Sequence, residues 1–285
     1  MSWSTIWETC PLTDPRPTRP VEDIPSALAS FDALMDRLNG RIPALFLDYD
    51  GTLTPIVDRP ELAVLSDAGR AVVRQAAEVL PVAVVSGRDR ADVERLVGID
   101  SLIYAGSHGF DIVVPDGTTV NIGEMGDVAP LLDTVEAALH RGLDPIAGAL
   151  IERKAFSIAC HYRLVAGDAY PAFRKVLDDV LASHGGIKEK PGKKVFEIQP
   201  DIDWDKGKCV LALLDALGLA DAGHVPLFLG DDVTDEDAFR ALRDRGLGIV
   251  VSPREDDGSG RRSHAAFRVE DPDEILDLLR RLSAA

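Results

Sequence analysis

The sequence predicts an α/β fold, a Rossmann-like parallel-sheet core carrying an inserted α+β cap. Three observations point there. Short apolar runs alternate with amphipathic helical stretches from residue 43 to about 105 and again from 204 onward, the pattern of strands joined by crossover helices. Between these blocks the order changes to helix, two strands, helix, two strands. Two apolar runs end abruptly in carboxylates, Leu45-Phe46-Leu47-Asp48-Tyr49-Asp50-Gly51-Thr52 and Phe228-Leu229-Gly230-Asp231-Asp232. In open parallel sheets the ligand crevice lies at such strand ends.

The elements follow in order. Residues 1–21 are Pro-rich and read as irregular. Apolar residues at helical spacing over 26–38, stopped by Gly40, predict a leading helix, so 1–40 form an N-terminal extension. The core comprises 41–125 and 204–285. Its first part holds a strand at 44–48, a helix near 66–79, a strand within 81–85, a helix near 89–97 and a strand at 102–105. After the turn Pro115-Asp116-Gly117 comes the cap, 126–203, with helices near 127–141 and 169–184 and strands near 149–153, 156–163, 186–190 and 194–199. The core resumes with a helix over 205–217, a buried strand at 225–229, and a further helix, strand and terminal helix.

Composition narrows the function. A hydrophobic share of 46% with 28% charged residues is ordinary for a globular chain. The net charge of -17 argues against nucleic acid or an anionic membrane as partner, so an anionic small-molecule substrate requires a local basic pocket. Cys10, Cys160 and Cys209 are odd in number and lack Cys-x-x-Cys spacing, which fits free thiols in a reducing compartment better than a disulfide framework or structural zinc. The first residues carry Pro and charge in place of an apolar signal core, and no apolar run approaches a membrane span. The expectation is a cytoplasmic protein; oligomeric state stays open, a monomer being compatible.

Four strand-end signals carry chemistry. Asp48 is placed to attack phosphorus and hold the phosphoryl group, splitting one hard displacement into two. Asp50 is placed to protonate the leaving alkoxide and then take a proton from water, with Thr52 as an orienting hydroxyl. Val84-Val85-Ser86-Gly87-Arg88 ends a second strand. Ser86 either holds phosphoryl oxygens or simply caps a helix, and Arg88 either meets substrate or pairs with a surface carboxylate. Lys206 opens a helix and can neutralise nucleophile and phosphate together. After the 225–229 strand, Asp231 is a direct metal ligand and Asp235 a supporting one, because carboxylates crowded beside a phosphate need a hard cation such as Mg²⁺. Glu236 and Asp237 equally suit the first turn of a helix.

Taken together, the Asp48-Tyr49-Asp50-Gly51-Thr52 segment, Ser86-Gly87-Arg88, Lys206 and Gly230-Asp231-Asp232 resemble, in order, the four motifs of haloacid-dehalogenase-like phosphatases. Tyr104-Ala-Gly-Ser-His-Gly109, Glu152-Arg-Lys154-Ala-Phe-Ser157 with His161-Tyr162-Arg163, Gly192-Lys-Lys-Val-Phe-Glu197 and the 230–239 segment resemble trehalose-6-phosphate phosphatases specifically. The resemblance implies that Asp48 is phosphorylated, that Asp48, the Asp50 carbonyl and Asp231 hold Mg²⁺, and that cap residues grip the sugar of trehalose 6-phosphate. Gln199 departs from it, standing where the family usually has a basic residue.

Sugar hydroxyls ask for charged or amide partners. Glu152, Lys154 and Glu197 meet that demand, Glu197 alternating with apolar Phe196 and Ile198. Each also reads as a solvated strand charge, His161 as a structural histidine, and Lys193 and Lys194 either as phosphate-facing charges or as a basic turn. His108, after the 102–105 strand, is placed to reach substrate. Three rivals remain: the same chemistry on another sugar phosphate such as sucrose 6-phosphate, a phospho-acceptor module, and a binding-only sensor. Asp50 and the cap argue against the second, and the intact four motifs against the third.

Overall fold

The computed structural model describes residues 18–285 apart from 58, 115–127, 193, 222 and 254–259. Cys10, the turn at 115–117 and Lys193 therefore lie outside the described residues. A two-residue strand, β1 (Arg19–Pro20), leads into helix α1 (Phe31–Leu38). The helix starts five residues later than periodicity predicts. Residues 26 and 27 are engaged elsewhere: Ser26 bridges to Arg268, and the Ala27 N–H donates to the Arg268 carbonyl at 2.8 Å.

The core then alternates β2 (Ile42–Leu47), α2 (Asp67–Val79), β3 (Val82–Val85), α3 (Arg90–Val97) and β4 (Ile103–Gly106), followed by β5 (Asp111–Val113). Three residues are too few to show a strand period, so β5 left no mark in the sequence. The cap contributes α4 (Ala129–Leu143), β6 (Leu150–Arg153), β7 (Ile158–His161), α5 (Tyr170–Ser183), β8 (Ile187–Gly192) and β9 (Val195–Pro200). The core resumes with α6 (Lys206–Ala216), β10 (His224–Gly230), α7 (Glu236–Leu242), β11 (Leu247–Val251), β12 (Arg262–Ser263), β13 (Phe267–Val269) and α8 (Pro272–Ala284).

The core sheet runs β13-β11-β10-β2-β3-β4-β5, parallel except at the β4–β5 edge. Burial on both faces explains the continuous apolar runs. Leu45 and Leu47 of β2 pack with Leu227 and Leu229 of β10 beneath α1, α2, α3 and α8, whereas Phe46 and Phe228 turn to α6 and α7. Each such side chain contributes about 1.5–3 kcal/mol by leaving water. β2 and β10 are therefore the central strands, and their carboxyl ends bring Asp48 and Asp231 side by side.

The cap sheet, β6-β7-β9-β8, is antiparallel throughout. Ile158, Cys160, Phe196 and Ile198 pack under α4 and α5 against Leu139 and Phe173. Strand alternation leaves Ala159, His161, Glu197 and Gln199 on the opposite face, free of helices. Cys160 and Cys209 are buried thiols, each pushed up to about 12 by burial. Among the described residues no helix is long and apolar enough to cross a membrane.

Candidate active site

Asp48 prolongs β2 by one bond, its N–H donating to the Leu229 carbonyl at 2.9 Å. The chain then turns. Tyr49, fully buried, pins the turn with its hydroxyl donating to the Ala63 carbonyl at 2.7 Å and accepting the Leu65 N–H at 3.2 Å. Gly51 takes φ +80, and a Cβ there would stand 2.1 Å from Asp231 Oδ2. Only glycine permits that turn with the Asp231 carboxylate laid against it.

Lys206 is the first residue of α6, whose N-cap Asp205 accepts the Lys208 N–H at 2.8 Å. Its ammonium donates to Asp48 Oδ1 at 2.7 Å and Asp235 Oδ1 at 2.6 Å. Thr52 Oγ1 lies 3.5 Å from both Asp48 Oδ2 and Asp231 Oδ1. The second oxygen of Asp235 accepts the Asp232 N–H at 2.9 Å. Both Asp235 oxygens are thus engaged, and Asp235 serves as a brace between Lys206 and the 231–235 turn.

Burial dominates the electrostatics. It lifts Asp48 well above the usual carboxylate range; Lys206 opposes that rise, and Asp235 and Asp231 add to it. Asp231 is pushed up to about 7 by burial and then by Asp235 and Asp232. Burial works against the Lys206 charge, but Asp48 and Asp235 outweigh it and raise the ammonium above its ordinary value. Oxygens of Asp48, Asp231 and Asp235 lie within 4.8 Å of one another. Three carboxylates facing one ammonium, with only oxygen donors, fit a hard divalent cation.

Asp50 points elsewhere. Arg88 grips both its carboxylate oxygens and also reaches Asp92. Ser86 is buried and its Oγ accepts the Arg88 N–H at 3.2 Å, so the hydroxyl caps the turn in this conformation. The 86–88 turn is clasped by Ser107 and His108, whose N–H groups donate to the carbonyls of Arg88 at 2.6 Å and Ser86 at 2.8 Å. Both clasping residues have positive φ, 51 and 58, a strained backbone of the kind that gathers at functional sites. Gly87 gives the His108 ring its room, since a Cβ would meet His108 Cε1 at 2.7 Å.

The open face of the cap sheet meets this crevice. Lys190 of β8 reaches His108 Nε2 at 3.3 Å, and Phe156 stacks on Phe110 at 6.1 Å. Burial, then Lys190 and Lys206, push His108 down to about 3, so the ring is neutral and accepts from Lys190. Glu197 accepts from Lys154 at 3.1 Å and from the Ser157 hydroxyl at 2.7 Å. Burial opposes its charge, yet Lys154 and Ser157 hold Glu197 below its ordinary value. Glu152 pairs with His161 at 3.0 Å.

Other candidates lie apart. Lys194 is exposed in the turn after β8, its ammonium over the Tyr162 ring at 5.6 Å. Gln199 is buried opposite Lys188 in the β8–β9 register, and Lys188 donates to the Ile202 carbonyl at 2.8 Å. Lys190 is absent from the sequence-based candidates. The signal for it was the Lys188-x-Lys190 alternation, which puts both ammoniums on the Glu197 face.

A family model described as trehalose-phosphatase matches residues 46–273, the segment that holds every group just described. The chain belongs to the trehalose-phosphatase family. Its fold is similar to that of the Aspergillus fumigatus trehalose-6-phosphate phosphatase, with a TM-score of 0.64 and 27% identity over 92% of this chain and 99% of that one. A trehalose 6-phosphate phosphatase of Zea mays is 39% identical over 92% of this chain and 76% of its own length. A Mycobacterium tuberculosis protein named as an uncharacterized glycosyl hydrolase is 43% identical over 92% of this chain, which spans only 20% of that relative's length.

Proposed function

We propose that this protein hydrolyses trehalose 6-phosphate to trehalose and phosphate through an aspartyl-phosphate on Asp48. The observation that carries this is the Lys206 ammonium at 2.7 Å from Asp48 Oδ1, with Asp231 beside them, at a strand end facing the polar face of the cap. An Asp48 oxygen attacks phosphorus, the bond from phosphorus to the sugar oxygen breaks, and Asp50 gives that oxygen its proton. Water then attacks the aspartyl-phosphate, Asp50 takes its proton, and phosphate leaves with Asp48 restored. Lys206 keeps the Asp48 carboxylate oriented and offsets charge on the phosphoryl oxygens.

Asp48, Asp231 and the Asp50 carbonyl would hold Mg²⁺, with Asp235 supporting them through Lys206 and the 232 N–H. When bound, the ion supplies charge neutralisation at the phosphoryl oxygens. Glu197, Lys154 and Glu152 read the sugar hydroxyls, and Lys190 and His108 face the crevice between cap and core.

Phosphate release across a panel of sugar phosphates, with Mg²⁺ and with chelator, tests the reading. Trehalose 6-phosphate is expected to be cleaved far faster than sucrose 6-phosphate, and only with the metal. A protein that accepts phosphate on Asp48 without releasing it would instead be a phospho-acceptor module.

A further inference from the structure

The cap carries a cation that its own sheet does not use. Lys188, Glu189 and Lys190 follow one another in β8, and strand alternation turns both lysines to the helix-free face, opposite Gln199 and Glu197. Two of the three are engaged within the cap. Lys188 donates to the Ile202 carbonyl at 2.8 Å and pairs with Asp201 at 3.7 Å, while Glu189 pairs with Arg174 at 2.7 Å. Lys190 differs. Its half-buried ammonium donates to His108 Nε2 at 3.3 Å, and among the described residues it makes no ion pair, although charges withdrawn from water are normally paired. Glu197 stands directly across in the β8–β9 register, yet its Oε1 accepts from Lys154 and Ser157.

The strands beneath fix where that ammonium sits. β3 lies beside β2 with Val84 paired to Leu47, so the 86–88 turn stands next to the turn that carries Asp48. His108 leans on it. The His108 N–H donates to the Ser86 carbonyl at 2.8 Å, and a Cβ on Gly87 would lie 2.9 Å from Nε2, the atom that accepts from Lys190. On the other side Gly109 lets the same loop close on α6, since a Cβ there would meet Cys209 Cβ at 2.4 Å, one turn beyond Lys206. Lys190 is thereby held over a loop that joins the Ser86–Gly87 turn to the helix start of Lys206. The charges agree with this placement: burial lowers Lys190, Glu197 opposes, and Lys206 lowers it further.

On the reading that the core transfers a phosphoryl group, we propose that Lys190 is a cap-borne ligand of the substrate phosphate, exchanging His108 for a phosphoryl oxygen when substrate is bound. The charge balance favours it. Three carboxylates gather at the Lys206 ammonium, and a phosphate brings further negative charge into the same crevice. A neutral imidazole at 3.3 Å is a weak partner for an ammonium, whereas charge-assisted bonds to phosphate run at about 2.7–2.9 Å and are roughly twice as strong as neutral ones. The contact is to phosphate and not to sugar, which sets Lys190 apart from Lys154 and Glu197.

The test uses the full chain with Mg²⁺, an aryl phosphate and trehalose 6-phosphate as substrates, and inorganic phosphate as competing inhibitor. Lys190→Gln and Lys190→Ala are compared with the parent and with Lys190→Arg, with melting curves to confirm folding. The inhibition constant for phosphate is expected to rise about ten- to a hundredfold in the Gln and Ala variants. Their kcat/KM should fall by a similar factor on both substrates, and Lys190→Arg should recover most of each loss. A loss confined to trehalose 6-phosphate with phosphate inhibition unchanged would make Lys190 a reader of sugar and overturn the proposal. Kinetics unchanged in folded variants, or an equal loss in Lys190→Arg, would also overturn it, the latter reducing Lys190 to a structural support. A parent that cleaves the aryl phosphate but not trehalose 6-phosphate removes the sugar assignment alone, and phosphate inhibition then decides Lys190 by itself.

Discussion

Arg88 Nε donates to Asp50 Oδ2 and its Nη2 to Oδ1, both at 2.7 Å, while its Nη1 holds Asp92 at 2.9 Å. Asp50 is thus gripped by a fork rather than aimed at Asp48, and the proposed mechanism requires Asp50 to swing from Arg88 toward the sugar oxygen. The guanidinium stays charged throughout, its pKa raised first by the Asp50 hydrogen bonds.

This grip distinguishes two roles for Arg88. If it positions Asp50, Arg88→Ala lowers kcat about 10- to 10²-fold with KM for trehalose 6-phosphate little changed, because proton transfer by a positioned group is worth roughly 10²–10⁴. Arg88→Lys should recover only part of that, since an ammonium cannot form the planar fork. Steady-state kinetics decide: a rise in KM alone would return Arg88 to the substrate-binding role that its place in the sequence suggests.

Asp48→Asn keeps the shape of the nucleophile and one acceptor for Lys206 while removing its charge. Turnover should fall below detection with the circular dichroism spectrum intact. Asp50→Asn should lose about 10²–10⁴, more if the residue serves both steps. Phosphate release within tenfold of the parent in Asp48→Asn would end the covalent mechanism.

The acidic cluster should make the metal-free protein less stable as pH rises. Asp231 lies near pH 7 when folded and near 3.9 when unfolded, so over that window the folded state holds a proton the unfolded state has lost. Stability is then lost between about pH 4 and 7, and Asp48, also raised by burial, adds in the same direction. Melting temperatures in chelator should drop across this window, less steeply in Asp231→Asn, and Mg²⁺ at neutral pH should reverse the drop. Ca²⁺ should support turnover poorly, because its looser shell lets a carboxylate bind through both oxygens. Activity retained in chelator would remove the metal from the site.

Much of this was legible before any coordinates, for a physical reason. Strands buried on both faces announce themselves as apolar runs, so the α/β core and the places of Asp48 and Asp231 at neighbouring strand ends could be read directly. The partner of Asp50 could not, because the Arg88 fork joins two loops 38 residues apart. Nor could Lys190, whose relevance depends on the cap sheet laying its open face over His108. The late start of α1 had the same origin: helical periodicity at 26–30 yields to backbone pairing with Arg268, a contact 242 residues away that no local pattern encodes.

The cap offers the sharpest separation of specificity from chemistry. Glu197 accepts from both Lys154 and Ser157 on the sheet face turned toward the crevice, so its carboxylate is preorganised with its charge already partnered. If that face reads sugar hydroxyls, Glu197→Ala and Lys154→Ala should each lower kcat/KM for trehalose 6-phosphate by about 10- to 10³-fold, roughly 1.4–4 kcal/mol. Glu152→Ala should act more weakly, since Glu152 is exposed and its partner is His161. An aryl phosphate makes none of those hydroxyl contacts, and on the proposed mechanism its hydrolysis would depend on Asp48, Asp50, Lys206 and the metal. Both substrates are therefore measured on every variant. Loss confined to the sugar phosphate assigns recognition to the cap face, whereas equal losses on both would mean that the Lys154–Glu197–Ser157 cluster only holds the cap strands together.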